Sequence, residues 1–141
     1  PELFNATQAQ AQESIEPYYN YDGYTAYQSG FILDKNFKES LKYDNFTING
    51  YQISKNQTGN NRINLYDQTL YGVSENKANG VFFSLDGKSI NKNTLIQNYG
   101  KPNSYSPTSA WGEEYMYKIG NKDVRFYIYN GYVIKCQIIS E

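Results

Sequence analysis

The chain has 141 residues, with 13 basic and 14 acidic side chains, no histidine and one cysteine. This length fits one domain that can bury a hydrophobic core without disulfides or metal ions. The near-neutral charge excludes the strongly basic surface of a dedicated DNA-binding domain. The 16 tyrosines and 7 phenylalanines exclude a disordered chain, because such chains are poor in aromatic residues.

The residue inventory also disfavours catalysis. Without histidine there can be no Ser-His-Asp triad, no Cys-His dyad and few zinc or transition-metal sites. Cys136 has no base to activate it, and its apolar neighbours favour a small hydrophobe on the core face of a strand over a reactive thiol. Glu113 and Glu114 are typical of a solvated loop. We predict a protein that is not an enzyme and has no cofactor and no metal.

The N-terminal residues 1–16 are polar and lack periodicity. Ala9-Gln10-Ala11 is the small-x-small pattern of a signal-peptidase site, which suggests an exported protein with a few residues left before cleavage or added for expression. The alternative is a polar tail with a chance match. No stretch approaches the roughly 20 apolar residues of a membrane-spanning helix. We predict a disordered tail over 1–16 and a single domain over 17–141.

The charge is unevenly distributed along the chain. Residues 1–30 carry four acidic and no basic groups, whereas residues 31–141 carry 13 basic and 10 acidic groups. The body is therefore mildly basic behind an acidic arm. The tyrosine cluster at 17–27 has two interpretations: a segment packed across the core, or an aromatic platform for a ligand.

A first helix is predicted to begin after Asp34, a suitable N-cap. Leu33, Phe37 and Leu41 recur every four residues and define its buried stripe. Three lysines, at 35, 38 and 42, fall on the opposite face. Such a face is ordinarily just solvated; contact with phosphates is the second interpretation.

Strands are predicted about the Asn49-Gly50 turn, at 63–65, 70–73 and 81–85, with a loop at 55–61. A second helix is predicted from the Asn91 cap to Gly100, which Pro102 prevents from continuing. Three strands at 113–119, 123–129 and 132–139 follow.

The last hairpin can join its strands in two ways. A two-residue Asn130-Gly131 turn would pair Tyr129 with Tyr132 and Phe126 with Lys135, which puts the apolar residues of the two strands on opposite faces. A bulged three-residue loop over 129–131 pairs Ile128 with Tyr132 and Val124 with Cys136, so that all of them share a face. We predict the three-residue loop.

These elements predict an α+β fold with an antiparallel β-sheet and two short helices. Each half reads as a helix followed by antiparallel strands. Residues 49–53 and 130–134 share an Asn-Gly-Tyr-x-Ile match, which hints at two tandem helix-plus-sheet units.

Several runs of the sequence are similar to one known family. They are Pro17-Tyr18-Tyr19, Tyr24, the run Phe31 to Phe37, Lys42 to Asn45, Asn49-Gly50, Tyr66 to Thr69, Gly72 to Ser74, and Tyr99 to Lys101. The chain resembles the immunodominant staphylococcal antigen B family of small secreted, surface-associated proteins. The ending after the second helix also resembles the β-lactamase-inhibitor-protein type of repeat, a fold used for binding.

The resemblance implies a secreted or cell-surface antigen of a Gram-positive bacterium, with a role in host interaction and sequence-independent binding of extracellular DNA or RNA. A near-neutral charge predicts weak binding, because phosphate neutralisation supplies most of such affinity. From charge and aromatic placement, the candidate nucleic-acid-binding residues are Lys35, Lys38, Lys42, Lys55, Arg62, Tyr21 and Tyr24. Lys118, Lys122 and Lys135 fall in or beside predicted core strands and are left out of this surface.

A second hypothesis is a monomeric protein-binding or inhibitor-like module. It would present the tyrosine-rich sheet face or the Trp111 loop to a host or bacterial protein, because Tyr and Trp give large contact area at low entropy cost. Polyanion binding should fall steeply with salt, and an aromatic protein interface should not.

Overall fold

The computed structural model describes residues 17–56 and 58–141. The predicted tail over 1–16 lies outside the described residues. The described elements are two α-helices, a 3-10 helix at Ser29–Leu33 and eleven strands. The helices are α1 Lys35–Lys42 and α2 Lys92–Tyr99. The strands are β1 Tyr19–Tyr21, β2 Phe46–Ile48, β3 Tyr51–Ile53, β4 Asn61–Leu65, β5 Gln68–Val73, β6 Lys77–Ala78, β7 Gly80–Ser84, β8 Ser104–Ser106, β9 Glu113–Ile119, β10 Lys122–Tyr129 and β11 Tyr132–Ser140.

These strands form two sheets, and the α+β prediction is confirmed. The larger sheet has seven antiparallel strands in the order β4-β5-β7-β11-β10-β9-β8. The smaller sheet has the order β1-β2-β3-β6, and its β1–β2 and β3–β6 pairings are parallel. The sequence predicted antiparallel strands only and did not predict this small sheet.

The large sheet takes strands from both sides of α2. The strands β4, β5 and β7 precede that helix, and β8 to β11 follow it. The two groups meet at the centre, where β7 pairs antiparallel with β11, the last strand of each group. This arrangement is compatible with two helix-plus-sheet units that share one sheet. The Asn-Gly-Tyr-x-Ile match does not mark equivalent positions, because 49–53 lies in the small sheet and 130–134 in the large one.

One hydrophobic core joins the two sheets and the first helix. Its fully buried members include Phe37 and Leu41 of α1, Phe46 of β2, and Phe83 and Phe126 of the large sheet. The predicted stripe of α1 is confirmed for these two residues, and Leu33 is only partly buried. This shared core supports the prediction of a single domain over 17–141, which stays a prediction.

The helix boundaries follow from side-chain capping, as predicted. The Asp34 carboxylate accepts a hydrogen bond from the Asn36 amide at 2.8 Å, and Asn91 accepts one from the Thr94 amide at 2.8 Å. Each cap satisfies an amide that has no partner within its own helix. Gly100 ends α2 at a φ of 83°, a backbone conformation that favours glycine.

The predicted three-residue loop between β10 and β11 is wrong. Tyr129 pairs directly with Tyr132 across a two-residue Asn130-Gly131 turn, in which both central residues have positive φ. The irregularity lies one step inside the hairpin, between Tyr127 and Ile128. This bulge shifts the phase of β11, so Val133 and Cys136 face the core while Ile134 is only partly buried. The apolar faces do align, but through a bulge within the strands.

A buried lysine ties the two halves together. The side chain of Lys122 is fully buried, and its ammonium donates to Asp44, to Asn121 Oδ1 at 2.8 Å and to Ser140 Oγ at 2.9 Å. These three acceptors match the three protons of an ammonium group. Asp44 follows α1 and Lys122 begins β10, so the ion pair joins distant parts of the chain.

Candidate binding site

Two of the predicted lysines line a common cleft. Lys38 and Lys42 of α1 border a cleft of about 310 Å³, together with Lys101 after α2 and Lys118 of β9. We call these four residues and the space between them the lysine cleft. Lys35 is exposed at the first turn of α1 and does not line it. The cleft therefore contains part of the predicted surface and two lysines that the prediction omitted.

The cleft forms where α1 ends against the turn between β9 and β10. Gly120 in that turn has a φ of 59°, and a Cβ at this position would lie 2.8 Å from the Lys42 carbonyl oxygen. Only glycine allows this approach without a shift of backbone. The end of α2 meets the same region, because the Tyr117 hydroxyl of β9 donates to the Gly100 carbonyl at 2.8 Å. The contact between three distant segments brings the lysines together.

Lys38 contacts two residues of α2. Its ammonium donates to the Asn98 carbonyl at 3.0 Å and lies 5.0 Å from the centre of the Tyr99 ring. The Tyr99 hydroxyl donates to the Ile32 carbonyl, and burial raises the pKa of this phenol well above its usual value. Tyr99 is thus an uncharged ring that packs against the Lys38 ammonium. The Lys38 charge, which lies at the end of α2, also stabilises the negative end of the α2 dipole.

Lys118 is also paired. Its ammonium is 2.9 Å from the Asp123 carboxylate, and this hydrogen bond raises the pKa of the lysine. Lys42 and Lys101 are exposed and form no ion pair within the described residues. Glu39 also lines the cleft, so two carboxylates offset half of the charge of its four lysines. The cleft can attract an anion, and it can do so only moderately.

The remaining predicted basic residues lie elsewhere. Lys55 borders a different cleft, of about 440 Å³, with Asn56 and Asn79. The Arg62 guanidinium lies over the Tyr71 ring at 5.1 Å. Lys135, which the prediction left out, is enclosed by the Phe82 and Trp111 rings on the outer face of the large sheet and donates to Ser84. None of these residues lines the lysine cleft.

The two tyrosines predicted to bind nucleic acid differ in solvent exposure. Tyr21 is buried, with 7% of its surface exposed, and its hydroxyl donates to the Tyr24 carbonyl at 2.6 Å. Its ring therefore offers no free face to a ligand. Tyr24 is 42% exposed and contacts Tyr27 and Tyr66, two exposed rings that were not among the candidate nucleic-acid-binding residues. Within the 17–27 cluster Tyr21 is packed against the core, whereas Tyr24 and Tyr27 are exposed, and a ligand platform there stays a prediction.

Two features bear on the prediction about catalysis: clusters of metal ligands and the state of Cys136. No group of three or more potential metal ligands occurs among residues 17–56 and 58–141. Cys136 is a free, fully buried cysteine, as predicted, and burial raises the pKa of its thiol well above the usual value. A thiol in this state stays protonated and is a poor nucleophile. The exposed surface of the described residues carries charged groups and aromatic rings.

The structure defines a small α+β protein with charged and aromatic side chains exposed on its surface. Residues 18–138 match the family described as immunodominant staphylococcal antigen B. Curated relatives of this name from Staphylococcus aureus strains USA300 and NCTC 8325 are 41% identical over 97 residues, which cover 67% of this chain and 54% of theirs. The chain belongs to the immunodominant staphylococcal antigen B family, and the resemblance read from its sequence is confirmed.

The chain spans about half the length of the curated relatives it matches. Among solved structures it is similar to a DUF4309 family protein from Bacillus subtilis, with a TM-score of 0.55 and 15% identity. The similarity covers 81% of this chain and 99% of that protein. At this identity the match supports the fold alone. Within the described residues, neither helix is long and apolar enough to span a bilayer.

Proposed function

We propose that this chain is a secreted, surface-associated antigen without catalytic activity, which as a monomer binds extracellular nucleic acid weakly and without sequence preference. The supporting observation is the lysine cleft, where Lys38, Lys42, Lys101 and Lys118 converge from three distant segments. The family name supports an antigen exposed to a host. It says nothing about nucleic acid, so that part of the proposal depends on the cleft and on the family resemblance.

The chemistry of the cleft determines the kind of binding. Flexible ammonium groups neutralise phosphates without reading bases, which gives affinity without sequence preference. Since Glu39 and Asp123 offset part of the charge, about two to three phosphates can be neutralised. The slope of log affinity against log salt should therefore be roughly −2 to −3.

A pair of double variants tests the proposal. Lys42→Gln with Lys101→Gln removes the two lysines that have no ion pair, and we expect at least a several-fold loss of affinity for a 20-mer oligonucleotide at low salt. The control is Lys77→Gln with Lys88→Gln, which changes the net charge equally at exposed sites outside the cleft. Fluorescence anisotropy at two salt concentrations measures both. Equal losses from both pairs, or binding that ignores salt, would contradict the proposal.

The alternative function, a protein-binding module, is favoured by a different surface. Trp111, Tyr129 and Ile134 line a cleft of about 450 Å³ near the β10–β11 turn, and both aromatic rings are exposed. Exposed Trp and Tyr are common at the centres of protein interfaces. Binding of a partner there should persist in salt that abolishes binding to the lysine cleft, and Trp111→Ala should weaken it.

A further inference from the structure

Another exposed surface, separate from the lysine cleft, is made of tyrosines. Tyr24, Tyr27 and Tyr66 are 42%, 80% and 54% exposed, and together we call them the tyrosine platform. Tyr24 and Tyr27 are stacked with ring centres 5.0 Å apart, and Tyr66 meets Tyr24 edge to face at 5.0 Å. Three large rings that contact one another are thus left open to solvent in one place.

The backbone under the platform is fixed. The Asp67 carboxylate accepts hydrogen bonds from the Thr25 amide at 2.9 Å and the Ala26 amide at 3.0 Å. The Tyr27 amide donates to the Tyr24 carbonyl, which also accepts from the Tyr21 hydroxyl. The backbone that carries Tyr24 and Tyr27 is therefore held in place before any ligand arrives, and binding does not have to order that segment.

The electrostatics of the platform favour a cation. Every described hydrogen bond to Asp67 comes from a neutral group, and Asp22 accepts from the Asn20 side chain. Within the described residues neither carboxylate pairs with a lysine or arginine. Burial and the Asp67 charge both raise the pKa of Tyr21, in agreement with a negative field under the rings. Ring faces are themselves negative, so carboxylates and rings attract the same charge.

We propose that the tyrosine platform binds the ammonium and guanidinium groups of a basic peptide segment. A phosphate ligand does not fit there, because the platform itself contains no lysine or arginine, the Asp67 carboxylate is bonded to the backbone beneath it, and Asp22 is two residues from Tyr24 in the chain. A single exposed cation–π contact is weak, so a useful affinity needs several cations presented together to several rings. A peptide with neighbouring lysines or arginines supplies them. This site is independent of the lysine cleft and takes a ligand of the opposite charge.

The test uses an N-acetylated, C-amidated tetra-arginine peptide and, as its neutral counterpart, a tetra-serine peptide. Amide chemical shifts of the 15N-labelled protein should move at Thr25, Ala26 and Tyr27 on addition of tetra-arginine and stay fixed with tetra-serine. Tyr27→Ala and Tyr66→Ala should each weaken binding about two- to five-fold, the value expected for one exposed cation–π contact. Tyr27→Phe should keep the affinity, because phenylalanine retains the ring face.

Tyr43→Ala is the matched control, since Tyr43 is 46% exposed at the C-terminal cap of α1. It should leave the affinity for tetra-arginine unchanged, and Asp22→Asn should lower it. Equal binding of tetra-serine, an equal loss from Tyr43→Ala, or shifts that map away from residues 24–27 would overturn the proposal. Thermal melts of each variant check the fold. Oligonucleotide binding by Tyr27→Ala should equal that of the parent chain, so this result is separate from the outcome at the lysine cleft.

Discussion

The segments before α2 and the strands after it are held in different ways. Before α2, single side chains fix the loops: Asp67 holds the turn at Thr25 and Ala26, and Asn79 bonds both the amide and the carbonyl of Asn56. After α2, the strands β9, β10 and β11 are joined by short turns and paired along almost their whole length. The comparison suggests that stability depends on individual polar side chains in the first region. In the second region it depends on backbone hydrogen bonds spread along the paired strands.

The largest effect is expected where the two regions are joined. Asp44→Asn removes the anionic partner of the fully buried Lys122 but keeps a residue that tolerates the φ of 62° at this position. Loss of one partner from a buried ion pair costs about 3–5 kcal/mol, because the other charge stays buried without compensation. Since the Asp44 side chain is 42% exposed and Lys122 keeps its Asn121 and Ser140 acceptors, we expect a loss of about 3–4 kcal/mol. Urea denaturation should show this loss in the free energy of unfolding.

The control for Asp44→Asn is Glu114→Gln, which breaks a more accessible pair with Arg125. Such pairs contribute about 0–1 kcal/mol. If both variants lose the same small free energy of unfolding, other groups compensate the charge of Lys122. The link between the two regions is then weaker than the structure indicates.

A smaller effect is expected inside the first region. Asp67→Ala leaves the Thr25 and Ala26 amides without their acceptor, and hydrogen bonds to charged groups contribute about 1.5–3 kcal/mol each. Because water can replace part of this interaction, we expect a loss of about 2–4 kcal/mol by urea denaturation. Asp22→Ala, which removes only an exposed contact with Asn20, should change the stability by less than about 0.5 kcal/mol. Similar losses from the two variants would mean that Asp67 does not fix this turn.

The smallest loss of stability is expected from alanine substitution of a turn glycine, and it should be the same in both regions. Gly50 and Gly131 are the second residues of two-residue hairpin turns, at φ values of 88° and 82°, and a Cβ at either would meet nothing within 4 Å. Alanine there adds only backbone strain, which costs about 1–2 kcal/mol. Gly30→Ala, with equal space and no positive φ, should cost little. A clear difference between Gly50→Ala and Gly131→Ala in denaturation midpoint would show that the hairpins contribute unequally.

The local features of the fold could be predicted because their causes lie within a few residues. The Asp34 and Asn91 caps, the apolar spacing of Phe37 and Leu41, and the Asn49-Gly50 turn set the helices and the first hairpin directly. The Asn130-Gly131 turn was predicted with the wrong loop length, because the bulge that aligns the apolar faces lies inside the paired strands. The small sheet could not be predicted in this way. Its β1 and β6 strands have only three and two residues, and they pair in parallel with strands that a short turn does not connect to them.

The binding surfaces were predicted only in part, for the same reason. The helical period placed Lys38 and Lys42 on one face of α1, but the addition of Lys101 and Lys118 depends on how α2 and β9 pack against that helix. Lys118 was set aside because it lies in a strand, although its side chain is exposed at the cleft. Tyr66 is 42 residues from Tyr24 along the chain, so no local pattern could pair their rings.

The sequence by itself determined the α+β class, the capped helices, the Asn49-Gly50 turn, the buried Cys136 and the family. These depend on short-range periodicity, on backbone preferences and on a linear order of motifs. Only the tertiary structure decided that Tyr21 is buried while Tyr24 is exposed, that β11 reaches the core through a bulge, and that the lysines of three segments share one cleft. Those outcomes depend on which distant segments pack together, and the packing is set by the shape and burial of the whole core rather than by any one stretch of residues.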